Sequence, residues 1–197
     1  MDRLEYVFFE EGFLNLNIVG VRNSNGRPDR FDDEMHVIFK DETEQETDYV
    51  WQHCIYPITT TPGLYWLKNP MFSSGTGIMV PGQYRRAYCI GKHRGAYDAL
   101  VQIGSVRCYL DKNKDEILDM KPDTIVQGKL GMNIHRASRS HESKKVNRWS
   151  AGCQVFSNPQ DFKEFMDICF EAKEIWGNRF TYTLMNGKDV YGDLSQY

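Results

Sequence analysis

The stretch NIHRASRSHESKKVNRWSAGCQVF, residues 133–156, decides how the rest of the chain is read. It opens on a short apolar segment in which Ile134 and His135 would face opposite sides of a strand. A charged loop over residues 136–148 follows. The stretch then closes on Ser-Ala-Gly-Cys and a second apolar segment. If the two strands flanking the loop are neighbours, His135 lies beside Cys153. A thiol needs such a base to act as a nucleophile. Gly152 has no Cβ, which would leave the approach to Cys153 open. The N–H groups of Gly152 and Cys153 would then be available to hold an oxyanion. The same residues also fit a surface loop followed by an ordinary buried cysteine.

Working outward, most of the chain alternates as strands do. In LNLNIVGVR (14–22), Leu14, Leu16, Ile18 and Gly20 share one face and Asn15 and Asn17 the other. NSNGRPDRFDD is dense in turn formers, and MHVIFKD is a second strand paired with the first. DETEQET (41–47) is a solvated connector. DYVWQHCIYPITTT is a third extended stretch. PGLYWL turns at Pro62-Gly63 and resumes as a strand. FSSGTGIMVPGQY is rich in turns, and RRAYCIGKHRGAYDALVQIG and SVRCYLDKN add further strands. One long helix stands out. Asn158 caps it, Pro159 takes its first position, and Gly177 stops it. Phe162, Phe165, Met166, Cys169, Ala172 and Trp176 form its apolar stripe. FTYTLM follows as a final strand. The pattern is mainly β with one long C-terminal helix, and its boundaries suggest an N-terminal β extension over residues 1–49 before a domain over 50–197.

Composition narrows the function classes. Hydrophobic residues make up 41% of 197 residues, enough for a sizeable core. The net charge is −3, which points to neither nucleic acid nor an anionic membrane surface as partner. No apolar run reaches the roughly 18 residues of a membrane span. The N-terminus lacks a signal-peptide layout, because Glu10 and Glu11 break its apolar run. The five cysteines are odd in number and contain no CxxC, so a disulfide framework is not expected. Cys54, Cys89, Cys108 and Cys169 read as small core residues.

Other motifs fail on inspection. LDKNKDEILDMKP has alternating Asp111, Asn113 and Asp115, but Glu116 and Pro122 stand where a calcium loop needs Gly and Glu. His36, His53, His93, His135 and His141 show no metal-ligand spacing, so no metal is expected. SSGTG and GKHRG lack phosphate-loop spacing, and SRSHESKK reads as a solvated loop. No cofactor is implied.

The His, loop and Ser-x-Gly-Cys order resembles the catalytic domain of the L,D-transpeptidase (YkuD-like) family. TTTPGLYWL (59–67) is similar to that family's Thr-Pro-x-Gly-x-Tyr/Phe strand, and the His-to-Cys separation fits. The likeness covers roughly residues 50–185, and PGQYRRAYCIGKHRGAYDALVQ looks like proteins of tailed bacteriophages. The resemblance implies a YkuD-like β-sandwich and a cysteine-dependent hydrolase or transpeptidase acting on peptidoglycan stem peptides. In it Cys153 is the nucleophile, His135 its base, Gly152 part of the oxyanion hole, and the backbone near Arg136 orients the base. Trp149, Ser150, Asn133 and His93 are the candidate substrate contacts. Trp149 also fits core packing, and His93 a strand-end surface histidine. Ala151 and Gln154-Val155 depart from the family pattern, which favours hydrolysis over cross-linking. The phage likeness implies a virion-associated protein, or one in the host cytoplasm delivered to the cell wall, with other virion proteins as partners. It also supplies the rival reading, a virion structural protein built on this fold.

Overall fold

The apolar alternation of the N-terminal segment becomes β1 (Asn17–Arg22), and MHVIFKD lies within β2 (Asp33–Glu42), its antiparallel neighbour. The structure is a computed structural model and describes residues 4–24, 27–42 and 49–192. From residue 43 on, the DETEQET connector lies outside the described residues. Beyond it, β3 (Tyr49–Thr59) pairs antiparallel with β2 over ten positions, from Asp33 opposite Ile58 to Glu42 opposite Tyr49.

The remaining elements are α1 (Leu64–Lys68), β4 (Thr76–Met79), β5 (Gly82–His93), β6 (Tyr97–Gln102) and β7 (Val106–Asp111). They continue as β8 (Val126–Gly128), β9 (Ile134–Arg136), β10 (Gln154–Phe156), α2 (Pro159–Trp176), β11 (Phe180–Asn186) and α3 (Gly187–Tyr191). Eight strands close into a barrel in the order β1-β11-β5-β6-β9-β10-β3-β2, while β4, β7 and β8 form a separate three-stranded sheet. The chain is therefore mainly β with a long C-terminal helix, and a closed barrel stands where a two-sheet sandwich is expected. Closure follows from residues 1–49: β1 bridges β2 and β11, so the N-terminal strands share the barrel with the rest.

Two strand readings change. Leu64–Lys68 is a helix and not a strand, so the chain turns away from the barrel after Pro62-Gly63. The face that carries Asn17 is buried as well: Asn17 clamps the preceding segment, accepting from the Phe9 N–H at 2.7 Å and donating to the Phe9 carbonyl at 2.9 Å. Of the cysteines read as core, Cys108 and Cys169 are buried, whereas Cys54 and Cys89 are only partly so.

The helix α2 starts where its sequence says. The Asn158 side chain accepts from the Gln160 N–H at 2.8 Å, a cap that contributes about 1 kcal/mol. Phe162, Phe165, Met166, Cys169 and Ala172 join the barrel's own core. Phe165 lies 5.0 Å from Phe156 of β10, ring centre to ring centre. Burying each of the two phenylalanines stabilises by about 1.5–3 kcal/mol, and this packing anchors β10 immediately after Cys153. Trp176, read as the last residue of the stripe, is instead 46% exposed, with its indole N–H donating to the Phe13 carbonyl at 2.8 Å.

Candidate active site

β9 and β10 run parallel and adjacent, with Ile134 opposite Gln154 and His135 opposite Val155. Cys153 immediately precedes β10, so the pairing brings the His135 strand against the cysteine turn. Both residues line one cleft of about 690 Å³, walled also by Gly77 and Cys108 of the small sheet. Met71, Phe72 and Trp149 stand exposed at its edge. Its charged lining residues are Arg94 and Lys129, both cationic.

His135 is buried and its tautomer is set. Its Nδ1 lies 2.8 Å from the Arg136 carbonyl oxygen, which can only accept, so the proton sits on Nδ1 and Nε2 keeps its lone pair. The Tyr97 hydroxyl donates to the same carbonyl at 3.2 Å. Arg136 thus contributes its backbone, while its guanidinium lies over the Tyr97 ring at 4.1 Å. Burial first, then the neighbouring His93, lowers the His135 pKa to about 3.

Cys153 is partly buried and its thiol donates to the Gly131 carbonyl at 3.4 Å. Burial raises its pKa to about 11, against the opposing pull of the Asn133 N–H and of Arg94. The resting thiol and imidazole are therefore both neutral. Attack by such a thiol would need general-base transfer of its proton and could not go through a preformed thiolate.

The cysteine turn is held by groups that do not reach substrate. Ser150 is fully buried; its hydroxyl donates to the Cys153 carbonyl at 2.8 Å and accepts from the Gly152 N–H at 3.0 Å. Ser150 is thus a clamp and not a substrate contact, and Gly152 has no N–H free for an oxyanion. The Cys153 N–H makes no hydrogen bond among the described residues. Gly152 is required for another reason than access: its φ is +121°, and a Cβ there would lie 2.2 Å from the Gly77 carbonyl oxygen. The small sheet fills the space that the missing side chain leaves.

His93 and Asn133, expected near the site, are in it. His93 is buried at the end of β5, and its ring stacks on His135 with centres 4.0 Å apart. Asn133 supports it, its amide nitrogen 3.1 Å from His93 Nδ1. Burial, then Arg94 and Arg136, lowers the His93 pKa to about 4.

The sequence reading assigns no role to several residues that shape the site. Gln102 accepts from the Leu130 and Met132 N–H groups and donates to the Gly104 and Gly128 carbonyls, fixing the segment that carries Gly131. The polar residue ending the apolar run of ALVQ is the one trace of it in the sequence. Gln154 is buried and donates to the Gly152 carbonyl at 3.3 Å while accepting from Tyr182 at 3.0 Å. It braces the turn from inside the barrel. Tyr97 and Arg94 carry no pattern that would single them out.

Among the described residues no group of three or more His, Cys, Asp or Glu side chains is placed to hold a metal ion. No described helix is long and apolar enough to cross a membrane. Compared with protein-family models, curated proteins and solved structures, the chain matches none.

Proposed function

We propose that this chain is a cysteine-dependent acyl-transfer enzyme, a variant of the L,D-transpeptidase fold that acts on peptidoglycan stem peptides. One observation carries the reading: a histidine with its Nδ1 proton fixed on the Arg136 carbonyl and a cysteine on the adjoining turn line a single open cleft. In the proposed reaction the substrate carbonyl enters beside Cys153. His135 Nε2 takes the thiol proton as the sulfur attacks, giving a tetrahedral intermediate. That intermediate collapses with transfer of the proton to the leaving amine. Water, or an amine for cross-linking, then releases the acyl group. Hydrolysis is favoured, as expected of a virion-associated enzyme that must cut the wall. The cationic lining of Arg94 and Lys129 suits the carboxylates of stem peptides, and the apolar edge suits their alkyl side chains. Release of an amino acid or short peptide from purified muropeptides, seen by mass spectrometry with the wild type and not with Cys153→Ala, tests it.

A second reading has one observation behind it. On β3, Tyr49, Val50, Trp51 and Ile55 are 44–55% exposed, which favours a surface for assembly with other virion proteins. Sedimentation with and without Trp51→Glu tests that reading through self-association.

A further inference from the structure

The cleft holds two stacked imidazoles, and the hydrogen bonds around them give the rings opposite chemistry. The chain of reasoning starts at Gln102. Its backbone N–H donates to Asn133 Oδ1 at 2.9 Å, so the other end of that amide is the NH₂. The NH₂ faces His93 Nδ1 at 3.1 Å and can only donate. His93 Nδ1 is therefore an acceptor, and a neutral His93 ring carries its proton on Nε2. His135 is the reverse, with its proton on Nδ1 and its lone pair on Nε2. The ring planes are inclined by 23°. Neither Nε2 has a protein partner among the described residues. Neither is sealed from solvent, because the buried side-chain polar atoms without a partner there are Tyr88 Oη and Ser143 Oγ.

The cysteine turn offers too few donors for the charge that attack creates. Gly152 N–H is engaged by Ser150. The Cys153 N–H alone remains, and one donor is a poor oxyanion site. We propose that His93 is a catalytic residue, its Nε2–H donating a hydrogen bond to the oxyanion formed when Cys153 attacks a carbonyl. This rests on the acyl-transfer reading above. As the S–C bond forms, the carbonyl π electrons move to oxygen and His135 Nε2 receives the thiol proton. His93 transfers no proton. When the carbonyl reforms, the bond to the leaving group breaks and His135 returns the proton to that group.

Two reactions of the same thiol separate this role from a structural one. Acylation of Cys153 by p-nitrophenyl acetate passes through an oxyanion, whereas alkylation by iodoacetamide does not. Both are followed at Cys153 by peptide mapping. His93→Phe keeps a ring on His135 without the donor, His93→Leu is a second apolar replacement should that variant fold poorly, and His93→Gln restores an N–H near the same position. The apolar variants are expected to slow acylation by about 10²–10³-fold while alkylation changes by less than about threefold, with His93→Gln recovering much of the loss. Unchanged acylation, an equal fall in both reactions, or no recovery with glutamine overturns the proposal; an equal fall would make His93 a support for His135. A wild-type protein that is alkylated but never acylated at Cys153 defeats the acyl-transfer reading itself, and this assignment with it.

Discussion

The carbonyl of Gly77 occupies the place where a side chain at Gly152 would stand, 2.2 Å from the position of its Cβ. The three-stranded sheet is thereby seated against the cysteine turn, and the wall of the cleft and the turn that carries Cys153 are fixed by one close approach. Gly152 also adopts a φ of +121°, which side-chain-bearing residues rarely take. Gly152→Ala is therefore expected to cost at least about 2 kcal/mol in urea unfolding. It should also lower Cys153 acylation even where the protein remains folded. An alanine variant with wild-type stability and rate would show that the approach is not needed.

Cys153 and Cys169 should separate cleanly. Cys153→Ala should abolish acyl transfer with little change in stability. Cys169→Ala should keep the activity and lose about 1–3 kcal/mol, because Cys169 is fully buried on the face of α2 that joins the barrel core. Denaturation midpoints measured alongside turnover decide this. Turnover by Cys153→Ala would remove it as nucleophile.

Reagents should follow the same logic. Activity should survive a chelator and be lost to iodoacetamide, since the proposed nucleophile is a thiol and the described residues hold no cluster suited to a metal. Loss of activity to a chelator with recovery on adding zinc would reverse this account.

The pH dependence carries a definite sign. His135 and His93 have folded-state values of about 3 and about 4, below the ordinary imidazole value of 6.5. As pH falls, the unfolded chain takes up protons first. Their contribution to stability is complete above about pH 6.5 and is lost progressively as the pH falls toward those folded values. The double variant His93→Phe/His135→Phe should accordingly lose less stability than the wild type between about pH 7 and about pH 4. For catalysis, the acid limb of kcat/KM should lie near pH 3, and a limb near 6.5 would place the base in a more solvated setting than its burial implies.

Much of this was legible in the chain. The alternation of β1 and β2 and the stripe and caps of α2 follow from local periodicity and capping chemistry. The two strands flanking the 136–148 loop were legible as apolar segments, but their parallel pairing entered only as a condition that the structure meets. Barrel closure was not legible, because it depends on β1 meeting β11 across the whole sequence. The helical turn after Pro62-Gly63 was misread since LYWL fits a strand or a buried helix equally. In the site, His135 and Cys153 stood out by motif. The roles of Ser150, Gln102 and Gln154 did not, since a buried amide or hydroxyl is defined by partners distant in sequence. His93 and Asn133 could be placed near the site, but the direction of their hydrogen bond needed the Gln102 backbone to fix it.

The most direct test of the central claim is to incubate the protein with muropeptides, quench in acid, and measure intact mass followed by peptide mapping. The account predicts an acyl adduct on Cys153 in the wild type and little or none with His135→Ala, because the neutral thiol needs the base to attack. An unmodified Cys153 in the presence of substrate turnover, or an adduct confined to another cysteine, would contradict it.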